Sequence, residues 1–320
     1  MAYYKPLVSV IIPNFNHSQF LEQRIESVLN QRFENFEVII LDDCSSDNSL
    51  QIIERYRNNP VISKIVYNET NSGSTFIQWK KGIEIASGEY IWIAESDDWC
   101  EPTFIETIYS ELVKDKSISL GFAQSICLNE SSSIRFVSKS ENLTMVCNGT
   151  EFINNTLAYN NVIINASMAI FRKDKAIDFC DEIVNFKYCG DWLFWIKISK
   201  NNKVFISGKI LNYFRKHSKD VSGNYINSGL NFKEELNVLN LLYSQKELKS
   251  EFYQKSVRNK YLNFISNYFS YSRKDREYIK YLFDETDVIK YYYFLVLISY
   301  SFTKKLLGNI KRHLLSSFIN

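Results

Sequence analysis

The sequence is short of residues that interrupt regular structure. Its 320 residues include only 4 Pro and 10 Gly, which excludes collagen-like chains and low-complexity disorder. It also lacks an excess of one charge. Lys and Arg number 38 against 36 Asp and Glu, a net charge of +2, so no nucleic-acid partner is expected. Paired cysteine spacings are missing. Cys44, Cys100, Cys127, Cys147, Cys180 and Cys189 form no C-x-x-C pair and read as reduced thiols of a cytoplasmic protein. Long apolar runs are absent as well. "LVSVII" gives way to Pro13 after six residues and has no basic stretch before it. It reads as a buried strand, not a secretory signal. The run at 291–298 is too short to span a bilayer. No internal repeat and no marked linker is visible.

What is present is apolar and aromatic. Hydrophobic residues make up 45% and aromatic ones 15% of the chain, enough for a large core, and the length fits one large domain with an extension. Short apolar runs at 8–12, 38–41, 65–67, 90–94 and 118–122 alternate with helical patterns. Such runs suit strands buried on both faces. Between them, Ser18 opens a helix to about 31. Asp47 caps a second, with Leu50, Ile53 and Tyr56 facing inward. Ser74 or Thr75 starts a third that ends near Gly88, and Pro102 enters a fourth that runs to about Lys114. This order predicts an α/β sandwich around a mostly parallel sheet. The stretch 126–165 is polar and gives no clear period. Residues 166–173 read as a strand, 191–200 as a helix with an aromatic face, and 209–218 as a strand running into a loop.

After about Gly229 the texture becomes helical, with few breakers. We place a domain at 1–228 and a helical region at 229–320. At its end, Leu307, Ile310, Leu314 and Phe318 share a helix face beside Lys304, Lys305, Lys311 and Arg312. That pattern suits either a helix lying on an anionic membrane surface or one packed on the protein or on a homodimer partner.

Three polar clusters follow predicted strands: "PNFNH" at 13–17, "DDCSSDNS" at 42–49 and "ESDDW" at 95–99. In a parallel sheet these ends share one edge, where α/β proteins bind ligands. Each cluster alone also fits an Asx-turn, a helix cap or a solvated loop. The third sets Glu95, Asp97 and Asp98 within four residues, and crowded carboxylates need compensating charge.

With these motifs in place, the chain resembles glycosyltransferase family 2, whose members have the GT-A fold. The resemblance spans roughly 6–225. It rests on "VSVIIPNFNHSQFLEQRIESVLNQRFENFEVIILDDCSSDNS", "NSGSTFIQWKKGIEIASGEYIWIAESDDW", "GDWLFWIKI" and "NYFRKHSKDVSG". It implies a Rossmann-like α/β/α sandwich with a helical C-terminal extension. It also implies an inverting, metal-dependent transfer from a nucleotide-sugar, a UDP-sugar foremost, with dTDP- and GDP-sugars open. By the resemblance, Pro13, Asn14, Phe15, Asn16 and Ser96 line the nucleotide pocket, and Asp42 and Asp43 contact base and ribose. Glu95 accepts from ribose where the family commonly has Asp. Asp97 binds Mn²⁺ or Mg²⁺, supported by Asp98 and His217. Asp191 matches the catalytic base, and Gly190 stands where the family more often has Glu. Arg215 and Ser222 would reach the diphosphate or acceptor, and Trp99 and Trp192 would stack on sugar. Trp92 and Trp195 read as core, and Lys80 and Lys81 lie near the helix flanking the donor. The central block is similar to bacterial enzymes of surface polysaccharides such as O-antigen or capsule. This implies a sugar or lipid-linked sugar acceptor and work in the cytoplasm or at the inner face of its membrane. A nucleotidyltransferase or a non-catalytic carbohydrate-binding protein are the other readings. The first would show a Gly-rich basic loop after the first strand, which "PNFNHSQF" lacks.

Overall fold

The computed structural model describes residues 6–217, 228–286 and 288. They form two compact units that divide between residues 218 and 219. The first is built on ten strands: β1 Val8–Asn14, β2 Phe36–Asp42, β3 Ile62–Tyr67, β4 Tyr90–Ile93, β5 Trp99–Cys100, β6 Ile118–Leu128, β7 Ile134–Val137, β8 Thr144–Asn148, β9 Ala169–Arg172 and β10 Lys203–Arg215. They make one sheet in the order β3-β2-β1-β4-β9-β6-β10-β5, with β7 on β6 and β8 on β10. Strands β3, β2, β1 and β4 run parallel, and so do β6 and β10. Strand β9 lies antiparallel between β4 and β6. The carboxyl ends of β1, β2, β4, β6 and β10 therefore face the same way.

Among the described residues, five helices longer than two turns or nearly so flank this sheet: α1 Ser18–Leu29, α2 Ser49–Arg55, α3 Thr75–Ile85, α4 Phe104–Leu112 and α5 Gly190–Ser199, beside single turns at Gly149–Phe152 and Cys180–Ile183. Alternation of side chains along β1 explains the layering. Val8, Val10 and Ile12 join Leu21, Ile25 and Val28 of α1 and Phe104, Ile105 and Ile108 of α4 in one core. On the opposite face Ile11 meets α3, where a side-chain carbon at Gly82 would come within 2.5 Å of it. There Trp79, Phe194, Trp195 and Phe171 pack ring against ring. Trp92 and Trp195 are buried, as expected.

Several expectations need correcting. Strand β1 continues through Pro13 to Asn14. The carbonyl of Ile11 accepts from Ala94 N on the β4 side. Alternation then turns Pro13 to that same side, past the last residue of β4, so its missing N–H breaks no pairing. Strand β3 is an edge strand and partly exposed, not buried on both faces. Leu50 is exposed, and Ile53 carries the inward contact of α2. Asp47 does not cap α2 from the N-cap position, which is Asn48. It instead accepts from Ser49 N through Oδ1 and from Ser18 N through Oδ2, tying together the starts of α2 and α1. The unread stretch 126–165 holds β7, β8 and a π-helical turn at Ile153–Leu157.

The second unit contains α6 Leu230–Ser244, α7 Ser250–Ser266 and α8 Arg273–Asp284. They enclose Phe232, Tyr261, Phe264 and Phe283, and a Lys260–Glu235 ion pair of 3.0 Å lies among them. No helix among the described residues is long and apolar enough to cross a membrane. The sequence predicted at 304–318 to lie on a membrane or partner, and Ser222, are outside the described residues.

Candidate active site

The three polar clusters do meet at one edge. Asn14 Nδ2 donates to Asp42 Oδ1 at 2.7 Å and to Ser45 Oγ at 3.2 Å. Asn16, at a positive φ of 56°, accepts from Ser46 N at 2.7 Å and Asp47 N at 3.3 Å. His17 Nδ1 and Ser96 Oγ lie 2.8 Å apart. The loops after β1, β2 and β4 are thus stitched to one another. Pro13, Asn14, Asp42, Asp43 and Ser96 are buried in this seam, whereas Phe15 is 44% exposed.

Asp42 and Asp43 were expected to reach base and ribose, but their oxygens are engaged within the protein. Asp42 Oδ2 also accepts from Ser45 N at 2.9 Å. Asp43 accepts from Asn68 Nδ2, Ser72 N, Ser72 Oγ and Gln78 Nε2 at 2.6 to 3.1 Å. Its first work is to hold the loop from Asn68 to the start of α3.

The crowded carboxylates separate into three environments. Glu95 Oε1 accepts from Trp79 Nε1 on α3 at 2.8 Å; the longer arm that distinguishes Glu from Asp makes this reach. Burial, then the charge of Asp97, pushes the Glu95 carboxyl up to about 8. Asp98 is fully buried. Its Oδ2 accepts from Ser167 Oγ at 2.7 Å and lies 3.6 Å from Arg24 Nη2, and its Oδ1 accepts from Arg215 N at 3.1 Å. Both oxygens accept hydrogen bonds inside the protein, and Asp98 lies outside the His17–Asp97–His217 set. Arg24 is itself 0% exposed, donates Nε–H to Glu95 O at 2.8 Å, and sits 5.7 Å from the Trp92 ring. The compensating charge anticipated from a metal is thus partly supplied by this buried guanidinium, which gave no motif signal within the α1 sequence.

Asp97 is different. Its Oδ2 lies 3.0 Å from His217 Nε2, and one donor atom each from His17, Asp97 and His217 falls within 4.8 Å of the others. Burial raises the Asp97 carboxyl, but the His217 hydrogen bond and the two nearby imidazoles outweigh it and hold it below the ordinary value. Donors about 2.1 Å from a shared ion stand at most roughly 4.2 Å apart. With small side-chain adjustments the set would close on a divalent cation, so the residue types fit the group. Two of the three histidines in the chain meet here. His17 was read only as the end of the "PNFNH" cluster. The signal for it was its place one residue before α1, at the carboxyl end of a central strand.

Three other expected contacts are corrected. Arg215 donates to Asp97 O and to Gln23 Oε1, and its guanidinium lies 4.2 Å from the Phe20 ring and 4.6 Å from the Trp99 ring. It clamps the Asp97 backbone and is not turned outward to a phosphate. Trp99 is half-buried and stacked on Tyr213 at 4.9 Å, so one face of its ring is already taken. Trp192 is 2% exposed and donates Nε1–H to Leu157 O at 2.7 Å; it anchors a core segment and offers no face to sugar. Lys80 pairs with Asp181, and Lys81 donates to Asn68 Oδ1 at 2.5 Å.

Asp191 is the second residue of α5. Oδ1 accepts from Trp192 N at 2.7 Å and Oδ2 from Asn161 Nδ2 at 2.8 Å. Burial raises its carboxyl to about 7, against those two hydrogen bonds and the charge of Lys216. Its neighbour Gly190 abuts Phe76, Phe76 packs on Trp79, and Trp79 holds Glu95. This chain of contacts links the base candidate to the carboxylate cluster.

A profile described as glycosyl transferase family 2 matches residues 9–179. The chain belongs to that family, and its first unit is a glycosyltransferase domain of GT-A fold. Among curated relatives, "Glycosyltransferase GlyG" of Streptococcus pneumoniae is 34% identical over 116 residues, 36% of this chain and 38% of that protein. "Putative teichuronic acid biosynthesis glycosyltransferase TuaG" of Bacillus subtilis is 35% identical over 122 residues, 38% of this chain and 48% of that one. The chain thus spans less than half the length of these two relatives. The crystal structure of Staphylococcus aureus TarS 1–349 in complex with UDP-GlcNAc superposes with a TM-score of 0.61 at 22% identity, covering 84% of this chain and 74% of that one.

Proposed function

We propose that the protein transfers a sugar from a nucleoside diphosphate sugar, a UDP-sugar foremost, to an acceptor hydroxyl with inversion, in bacterial polysaccharide biosynthesis. The observation that carries this reading is the pairing of two unlike sites. One is the His17–Asp97–His217 donor set at the carboxyl edge of the sheet; the other is Asp191, an isolated carboxyl poised near neutrality. The printed names of TuaG and of TarS, a poly(ribitol-phosphate) β-N-acetylglucosaminyltransferase, support the pathway class, and the UDP-GlcNAc bound to TarS supports the nucleotide.

Asp191 takes the proton of the acceptor hydroxyl. The acceptor oxygen attacks the anomeric carbon from the face opposite the nucleotide. The bond from that carbon to the diphosphate oxygen breaks, and its electron pair leaves with the diphosphate. A base near its pKa suits this transfer, and such bases contribute on the order of 10²–10⁴ in rate. Asp97, His17 and His217 would hold Mn²⁺ or Mg²⁺, which when bound supplies positive charge to the departing diphosphate. Asp98, Arg24 and Arg215 fix the loop that presents Asp97. Phe15 offers its exposed ring to the base, on a floor ordered by Asn14, Asn16, Asp42, Asp43 and Ser96. We infer a sugar or lipid-linked sugar as acceptor, at the inner face of the cytoplasmic membrane, with the sequence at 304–318 making that contact or a homodimer contact.

A donor screen that follows released nucleotide tests the reading. Cation-dependent release of UDP from one UDP-sugar is expected. No cation-dependent release from any UDP-, GDP- or dTDP-sugar would remove the donor assignment.

A further inference from the structure

We propose that Asn161 is a positioning residue for Asp191, and that its amide serves both protonation states of that carboxyl. The inference rests on the reading of Asp191 as the base.

The start of α5 has no room for a second acid beside Asp191. A side-chain carbon at Gly190 would stand 2.7–2.8 Å from three atoms of the buried Phe76 ring. Beyond the Trp192 N–H on Oδ1, the side chain that holds the base comes from the irregular stretch between β8 and β9. Asn148 starts that stretch by accepting from Thr150 N and Glu151 N. The π-helical turn Ile153–Leu157 follows, and its last carbonyl takes the Trp192 indole N–H at 2.7 Å. Trp192 adjoins Asp191, so the helix that carries the base also secures the segment that carries Asn161. Four residues beyond Leu157, Asn161 Nδ2 reaches Asp191 Oδ2 at 2.8 Å.

The other half of the amide is idle: Asn161 Oδ1 is buried and accepts no hydrogen bond. A buried acceptor without a donor is costly, and this one lies beside a carboxyl that gains a proton during turnover. While Asp191 is ionised, the amide N–H donates to it. Once Asp191 holds the acceptor's proton, its O–H becomes a donor, and rotation of the amide about its terminal bond presents Oδ1 to accept. An amide does both without backbone movement; alanine does neither. The charged group acting on Asp191 besides these contacts is Lys216, which is untouched by substitution at 161.

The test is a titration of ¹³C-carboxyl-labelled aspartate by NMR, with the Asp191 signal assigned by its loss in Asp191→Asn. A midpoint near 7 is expected in the parent chain. Asn161→Ala removes both bonds, and because the charge-assisted bond to the ionised form is the stronger, the midpoint rises by up to about one pH unit. Asn161→Asp, of the same size, raises it further, because two carboxyls then share the site. The acid limb of UDP release from a UDP-sugar moves with these midpoints, kcat falls about tenfold at neutral pH, and the KM for donor stays within twofold. Midpoints of both variants superimposed on the parent's would overturn the proposal while leaving Asp191 as base. Undiminished release by Asp191→Asn would remove the base reading, and this proposal with it.

Discussion

The carboxyl edge of the strands and the start of α5 handle acidic side chains in opposite ways. At the edge, carboxylates are crowded, and Asp43 and Asp98 are each fixed by several partners. Asp43 accepts from four groups, and Asp98 sits against Arg24, Ser167 and the Arg215 amide. At α5 a single, half-buried carboxyl has two hydrogen bonds and a cation that acts only at a distance. In the first arrangement Asp97 alone is held below the ordinary carboxylate value, while burial pushes its neighbours Glu95 and Asp98 up. The second lets charge change, which is what a base must do. Sparse partners are as much a part of the site as dense ones.

The contrast can be broken at either end. The largest expected effect is at the sparse end. Asp191→Asn should lower kcat by about 10²–10⁴ while UDP binding and thermal stability are retained; a loss below tenfold in a transfer assay would remove the base. At the dense end the outcome inverts. Arg24→Met should leave Asp98 buried beside Asp97 without its guanidinium and cost roughly 3–5 kcal/mol of stability, read as a shifted denaturant midpoint. A change under about 1 kcal/mol would show that Arg24 is not the structural counter-charge.

The smallest effect is on pH dependence without cation. Burial raises Asp191 to about 7 and Glu95 to about 8, above the values of an unfolded chain. Between those limits the folded state binds more protons than the unfolded one, so stability falls as pH rises. Thermal scans should therefore show a midpoint a few degrees lower at pH 8.5 than at pH 5.5. The drop should shrink in Asp191→Asn, and an equal drop in that variant would detach it from Asp191.

What was legible in the sequence follows the same division. Strands β1, β2 and β4 are continuous apolar runs ending in Asn, Asp and Ser clusters, so their common edge could be read from pattern alone. Asp97, Asp191 and His217 stand out in the sequence because each sits in a motif. Arg24 and His17 were not, since one lies within an ordinary amphipathic helix and the other merely ends a loop. Their roles depend on contacts 71 to 200 residues away. Trp192 and Trp99 were assigned outward because aromatic rings near motifs suit sugars, but an indole N–H aimed at Leu157 O and a ring stacked on Tyr213 are packing choices made in three dimensions. The segment carrying Asn161 escaped because its strands are exposed and its turn is π-helical, neither of which leaves a clean period.

In the proposed mechanism His17, Asp97 and His217 join a cation to a nucleotide diphosphate. Calorimetric titration of UDP into the full chain, with Mn²⁺ and then with chelator, tests it most directly. Binding with Mn²⁺ is expected to weaken at least tenfold with chelator and in Asp97→Asn. Equal UDP affinity in all three conditions would contradict it.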